Sequence, residues 1–296
     1  MEEDALLLGV DVGATTTAAG VVARDGEVLI EQRASTHRDG KGRGLPTIVG
    51  LIAAVRAEAE GRGRALAAEL TERFGLPVFV DNDVNALALG EWMFGAGRGA
   101  GSLVVLAPGT SFGAGIVLDG RVVRGAAGFG GELGHAPVKF DGGPCWCGGR
   151  GCLALYASGR GIAEAARARV AGLSDAPLLA AAGGDPRAIT APLVFRAARD
   201  GDPVASSVVD EACRALGAML GTVVNGLNPE VVVITGGVAE SLVPLAAQIL
   251  ARAGEYAFDR ALAATRVTIA PSDKRTSMRG AAALAIYEIE RTARSR

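Results

Sequence analysis

The chain has 296 residues, 49% apolar and 21% charged, a globular composition that excludes a disordered or collagen-like polymer. Thirty Lys and Arg against 32 Asp and Glu leave a net charge of −2, so there is no basic excess to draw the chain to DNA or an anionic membrane. At about 100–200 residues per domain, the length implies two domains. The acidic start Met1-Glu2-Glu3-Asp4 is not a secretory signal, and no apolar run approaches the roughly 20 residues of a membrane helix. A cytoplasmic protein is expected, with no nucleic-acid or membrane partner.

In chain order, residues 6–12 read as a buried strand and 13–17 as a polar glycine–threonine turn. Strands follow at 18–23 and 27–34, joined by the hairpin signal Asp25-Gly26. Helical periodicity covers 46–60 and 64–74, broken at Gly61-Arg62-Gly63. A short strand at 78–80 ends in Asp81-Asn82-Asp83, and 84–94 continue as helix. The pattern then restarts: strand 103–107, turn Pro108-Gly109-Thr110-Ser111, strand 114–118, hairpin Asp119-Gly120. A repeat of this size implies two similar α/β halves; two unrelated hairpins are the plainer alternative. Helices are expected at 155–171, 192–199 and 204–226, the last stopped by Asn228-Pro229. Residues 231–234 read as a buried strand, Thr235-Gly236-Gly237 as a turn opening a helix, 267–270 as a last strand and 275–292 as a closing helix.

The sharpest chemical signal is His135 followed by Cys145, Cys147 and Cys152 in a glycine-rich loop. One imidazole and three thiols in tight reversals point to a closed tetrahedral zinc site. A disulfide would need an oxidising compartment, and Cys-x-Cys is not the spacing of a thioredoxin-like redox pair. Cys213, alone in an apolar helix, reads as core. The three glycine turns at Asp11-Gly13-Thr15, Gly109-Thr110 and Gly236-Gly237 can offer backbone N–H groups to phosphate oxygens. None carries the Walker or dinucleotide fingerprint. Asp83, at a strand's carboxyl end, can accept a hydroxyl proton in phosphoryl transfer; the alternative is a helix cap. Glu132 can hydrogen-bond a polyol or be an ordinary surface glutamate. His37 has no assigned role.

The string Asn82-Asp83-Val84-Asn85-Ala86 through Gly90-Glu91, with Gly131-Glu132-Leu133-Gly134-His135 and the cysteine loop, resembles the ROK family of sugar kinases and repressors. The likeness runs from about residue 6 to 285 and takes in all three glycine turns. It implies an α/β protein with the actin-like ATPase fold, two ribonuclease-H-like lobes with a cleft between them. Residues 1–107 plus about 280–296 would form the small lobe and 108–279 the large one. It further implies phosphorylation of a hexose by ATP with Mg2+, most commonly of glucose. Asp83 would be the general base, and Asn82, Glu132 and His135 would hold sugar hydroxyls. His135 would give its second ring nitrogen to a structural Zn2+ shared with Cys145, Cys147 and Cys152. Asp11, Gly13, Thr15, Gly109 and Thr110 would serve the phosphates, with Asp11 positioning Mg2+ through water, and Gly236 and Gly237 would serve the adenosine. Similar proteins are usually homodimers.

The sequence departs from the family in two places. Ala154 stands where members have a sugar-contacting glutamate. Between Glu60 and Ala65 there is no strand to match the one members insert, nor their Asn-Leu sugar loop. Without that strand, 78–80 should pair directly with 6–12, or the first lobe should be disturbed. A specificity-altered or non-catalytic regulatory relative is the alternative to a kinase. A DNA-binding repressor would need an N-terminal helix-turn-helix ahead of a strand that already begins at residue 6.

Overall fold

The computed structural model describes residues 7–12, 16–35, 71–72, 75–173, 175–271 and 274–294. The helices expected at 46–60 and 64–74, the suspected strand loss between 60 and 65, and His37 therefore lie outside the described residues, apart from a helical 71–72. By its internal contacts the chain divides into two units: residues 1–99, 124–128 and 273–296, and residues 100–123 and 129–272.

The first unit is built on an antiparallel sheet of β1 (Leu7–Val12), β2 (Thr16–Val22) and β3 (Val28–Ser35), in that order. Its inner face carries Leu7, Ala18 and Val22, which pack on Met278, Ala282 and Ile286 of the C-terminal helix (Lys274–Arg294). Gly9 pairs with Gly20 across the β1–β2 ladder. A Cβ on Gly9 would stand 2.4 Å from the carbonyl oxygen of Met278, so the helix backbone lies directly on the strand. Helix α1 (Asp83–Phe94) meets the same helix at Gly90 and Gly280. A Cβ on Gly280 would fall 2.7 Å from the carbonyl oxygen of Ala86, closer than side-chain carbon can come.

The second unit holds a five-stranded sheet ordered β6-β5-β4-β7-β8: Arg121–Val122, Phe112–Leu118, Leu103–Pro108, Val231–Gly236 and Arg266–Pro271. β4, β7 and β8 run parallel, while β5 and β6 are antiparallel additions. The side chains of 103–106 and 231–234 are almost wholly buried, as continuous apolar strands must be when both faces are covered. The helices are α2 (Ala154–Ala157), α3 (Gly159–Val170), α4 (Pro177–Ala181), α5 (Ala191–Arg199), α6 (Pro203–Leu227), α7 (Ala239–Leu242), α8 (Ala246–Gly254) and α9 (Asp259–Ala264). The C-terminal helix of the first unit is α10.

α6 starts on Asp202, whose Oδ1 accepts the Ala205 N–H (2.7 Å) and whose Oδ2 accepts the Leu178 N–H (2.8 Å). It ends on left-handed Asn228 (φ 43°) just before Pro229. Cys213 is fully buried in this helix, and burial pushes its thiol up to about 12. No helix among the described residues is long and apolar enough to cross a membrane.

Both halves do open with an antiparallel three-strand meander, as the repeat implied. The two Asp-Gly hairpins differ in form. Asp119 and Gly120 both take positive φ (48° and 69°), the two-residue primed turn. At Asp25-Gly26 the loop is longer, closed by Gly26 N–H to Ala23 O (2.9 Å), and the register shifts beside Val22. The helix expected at 155–171 is cut at Ser158, which leaves α2 and caps α3 by accepting the Gly161 N–H at 3.0 Å.

The strand expected at 78–80 does not form, and among the described residues β1 pairs with β2 alone. Of the two outcomes expected, direct pairing does not occur, and among the described residues the first unit's sheet is the three-stranded β1-β2-β3. The reason is physical. Ladder partners must lie about 4.8 Å apart. Residues 77–82 run instead as an irregular lead into α1, whose start Asp81 and Asn82 hold by hydrogen bonds, and they form no ladder with β1.

Gly280→Val should therefore cost about 1–3 kcal/mol through overpacking at a contact that cannot relax. Gly254→Ala, with nothing within 4 Å of the added Cβ, should stay within about 1 kcal/mol of the parent. Urea unfolding followed by circular dichroism measures both.

Candidate active site and metal centre

In the second unit the sequence His135, Cys145, Cys147 and Cys152 folds into one cluster. His135 closes a 3-10 turn, Leu133–His135, held by His135 N–H to Glu132 O (3.0 Å) and Ala136 N–H to Leu133 O (3.1 Å). The cysteine loop is fastened by Cys145 N–H to Gly149 O (2.8 Å), Gly148 N–H to Cys145 O (3.0 Å) and Gly151 N–H to Gly143 O (2.9 Å). Gly151 takes a φ of +65°, and any Cβ there would lie 1.7 Å from Lys139 O, so only glycine fits.

Cys145 Sγ lies 3.7 Å from His135 Nδ1, Cys147 Sγ lies 3.7 Å from Cys152 Sγ, and all four donor atoms fall within 4.8 Å of one another. A tetrahedron with bonds of about 2.3 Å to sulfur and 2.0 Å to nitrogen has edges of about 3.5–3.8 Å, so the donor set fits zinc. The sulfurs are too far apart for a disulfide bond of about 2.05 Å, and all four cysteines are free. The Gly149 N–H, 3.4 Å from Cys147 Sγ, draws that thiol's pKa down, whereas burial pushes Cys152 up to about 12. All three sulfurs would hold zinc as thiolates. Because Nδ1 faces the sulfurs, Nε2 of His135 is turned away from them. Glu132 is exposed at the entry to the turn.

Trp146, between two of the cysteines, meets the His135 ring edge-on at 6.4 Å and lies under the Arg160 guanidinium at 4.5 Å. Arg160 in turn donates its backbone N–H to Thr110 O (3.2 Å), and Gly159 donates to Gly109 O (2.8 Å). The Gly109-Thr110 turn, which joins β4 to β5, is thus seated on the start of α3. Val238 N–H to Pro108 O (2.9 Å) ties the Gly236-Gly237 turn to the same place. The structure therefore brings the second and third glycine turns together. Beside α7 a hollow of about 500 Å³ opens, lined by Pro192, Phe195, Arg199, Glu240, Ser241 and Gln248.

In the first unit, Asn82 Oδ1 accepts the Val84 N–H (2.9 Å) and caps α1. Asp83 is the helix's first residue and is exposed; its carboxylate makes no hydrogen bond or ion pair among the described residues. The capping alternative is thus met by Asn82, and Asp83 is not spent on it. Asp11 lies near the carboxyl end of β1, while Gly13 and Thr15 are outside the described residues. Asn82 and Asp83 belong to the first unit, and Glu132 and His135 to the second.

The sequence reading missed Asp81, whose Oδ2 takes Nε (2.7 Å) and Nη2 (2.6 Å) of Arg124. Nη2 also reaches Glu288 Oε1 (2.7 Å). Burial would lower the Arg124 pKa, but the two carboxylates outweigh it and raise it above its ordinary value. Nothing local in the sequence announces this cluster, because its members lie 43 and 164 residues apart. Trp146 and Arg160 were also missed; the tryptophan between Cys145 and Cys147 was the available signal.

The chain belongs to the ROK family, whose profile matches residues 44–288. Its fold is the α/β actin-like ATPase fold of ROK sugar kinases. It is 37% identical over 272 residues to a glucokinase of Halalkalibacterium halodurans, covering 80% of this chain and 82% of that one. It is also 37% identical over 164 residues to a xylose repressor of Caldicellulosiruptor bescii, covering 55% of this chain and 40% of the repressor. Among solved structures, a ROK family glucokinase from Streptomyces griseus in complex with glucose and AMPPNP matches with a TM-score of 0.70 at 31% identity. That match covers 95% of this chain and 99% of the other.

Elemental analysis of the purified protein should find about one zinc per chain, lost in Cys152→Ser. Removing the ion with a chelator should lower the melting temperature, since structural zinc contributes on the order of 10 kcal/mol to a folded site.

Proposed function

We propose that this chain transfers the γ-phosphoryl group of ATP to a hexose, with the glucose 6-hydroxyl as acceptor and Asp83 as general base. That it is a sugar kinase follows from its family and from a glucokinase relative matched over four-fifths of its length. The finer reading rests on one observation: Asn82 does the capping of α1, so the Asp83 carboxylate stands unspent at the helix start.

In this reading Asp83 takes the proton as the hydroxyl oxygen attacks the γ-phosphorus. The bond to the β,γ-bridging oxygen breaks, ADP departs, and the proton is later passed to solvent. Asn82, Glu132 and His135 hold the remaining hydroxyls, His135 through Nε2. Zinc on Cys145, Cys147, Cys152 and His135 Nδ1 would fix that ring's orientation. The Gly109-Thr110 and Gly236-Gly237 turns receive the phosphates and the adenosine, and the hollow beside α7 supports the latter assignment because its size suits a small ligand. Asp11, Gly13 and Thr15 serve the phosphates from the first unit, with Asp11 toward Mg2+, which supplies charge neutralisation to the triphosphate.

Ala154 is fully buried and brings no carboxylate to the sugar. A hydrogen bond to a charged group contributes about 1.5–3 kcal/mol, so sugar binding should be roughly 10–100-fold weaker than in members with the glutamate. The same residue, with the likeness to a xylose repressor, favours the second reading: a sugar- or nucleotide-binding regulatory relative without turnover.

A coupled ADP-release assay over a panel of hexoses separates the two. Turnover that falls by about 10²–10⁴ in Asp83→Asn, with ATP binding kept, is the expected result. No turnover on any hexose at tens of millimolar, despite measurable ATP binding, would establish the second reading instead.

A further inference from the structure

Residues Arg124-Gly125-Ala126-Ala127-Gly128 belong to the first unit, although the chain on either side, 100–123 and 129–272, belongs to the second. In that segment only Arg124 has a side chain extending past Cβ. Any polar side-chain attachment the segment makes to its unit runs through this one guanidinium. Three residues after the segment ends, the chain enters the Gly131-to-His135 motif.

The guanidinium is spent on two carboxylates that are both nearly buried, Asp81 with 9% and Glu288 with 10% of the side chain exposed. It also lies 5.7 Å from the ring centroid of Tyr287. Asp81 divides its oxygens between two tasks. Oδ2 takes Arg124, while Oδ1 accepts the backbone N–H of Asn82 (2.8 Å) and Nδ2 of the buried Asn85 (2.8 Å). One oxygen thus receives the cation, and the other grips the peptide entering α1 and a residue one turn inside it. Asp83 sits between those two grip points. Glu288 is held on its other oxygen by Arg291 (2.9 Å), so the far end of the link is anchored to α10.

We infer that Arg124 is a positioning residue for catalysis. Through Asp81 it sets the backbone that aims Asp83, and through Glu288 it fixes that aim to the C-terminal helix. The inference rests on the reading of Asp83 as the base. Without Arg124, two buried carboxylates would face each other with no cation between them, and the helix start would have to shift or take up a proton. A displacement of about 1 Å at a reacting group can cost as much as 10²-fold in rate.

The test is steady-state kinetics on the full chain with ATP and its best hexose, well below the melting temperature. Arg124→Met should lower kcat by about tenfold or more, with both KM values within about threefold of the parent. Arg124→Lys, which returns the charge but not the two donors, should fall between them. Combined with Asp81→Asn, the two losses in kcat should overlap and not multiply, because both act through one link.

Val22→Ala, in the core of the same unit, supplies a matched loss of melting temperature and should leave kcat within about twofold. A parental kcat in Arg124→Met, or a loss confined to KM, overturns the inference. If Arg124→Met does not fold, Arg124→Lys and Asp81→Asn decide on the same criterion. Asp83→Asn run alongside keeps the two ideas apart. Parental turnover in that variant removes the base itself, whereas lost turnover there with normal kcat in the Arg124 variants removes only the positioning role.

Discussion

The first unit depends on a place where no side chain fits. Residues 278–280 of the C-terminal helix press against Gly9 on β1 and Gly90 on α1, and contact is made through backbone. A glycine inside a helix costs about 1 kcal/mol relative to alanine, and both α1 and α10 carry one at the crossing. What this achieves is proximity. Eight residues beyond Gly280, just over two turns along the same helix, Glu288 arrives where Arg124 can bridge it to Asp81. In the positioning role inferred for Arg124, the geometry at Asn82 and Asp83 is set from this helix.

The second unit works differently. Its central strands are continuous apolar runs, so the sheet is specified by burial alone and its ends are left to polar turns. Those turns are not independent. The start of α3 receives the carbonyls of the Gly109-Thr110 turn, Val238 ties on the Gly236-Gly237 turn, and Arg160 carries the connection to Trp146 in the cysteine loop. The cysteine loop and the Gly109-Thr110 turn are joined by one short path, a cation–ring contact from Trp146 to Arg160 and backbone hydrogen bonds from the start of α3.

Much of this was legible in the sequence. The repeat of strand, turn, strand and Asp-Gly hairpin did give two matching meanders, and the four donors did converge, because both signals are local and chemically narrow. The strand expected at 78–80 does not form, because three apolar residues carry no signal that separates a strand from an irregular lead into a helix cap. The link from Asp81 to Arg124 and Glu288 was invisible for a related reason: charged residues far apart in the chain show no pattern until the fold brings them together. A helix cap is the sequence's alternative role for Asp83, and only the structure shows that Asn82 performs the capping.

The chain has two tryptophans, and each unit has received one. Trp92 rides on the helix that begins with Asp83, and Trp146 lies in the cysteine loop beside His135 and Arg160. The protein thus carries two built-in fluorophores at separate stations. With either indole replaced, the emission of the other becomes an optical report on a single half of the molecule as it is titrated with nucleotide, sugar or metal.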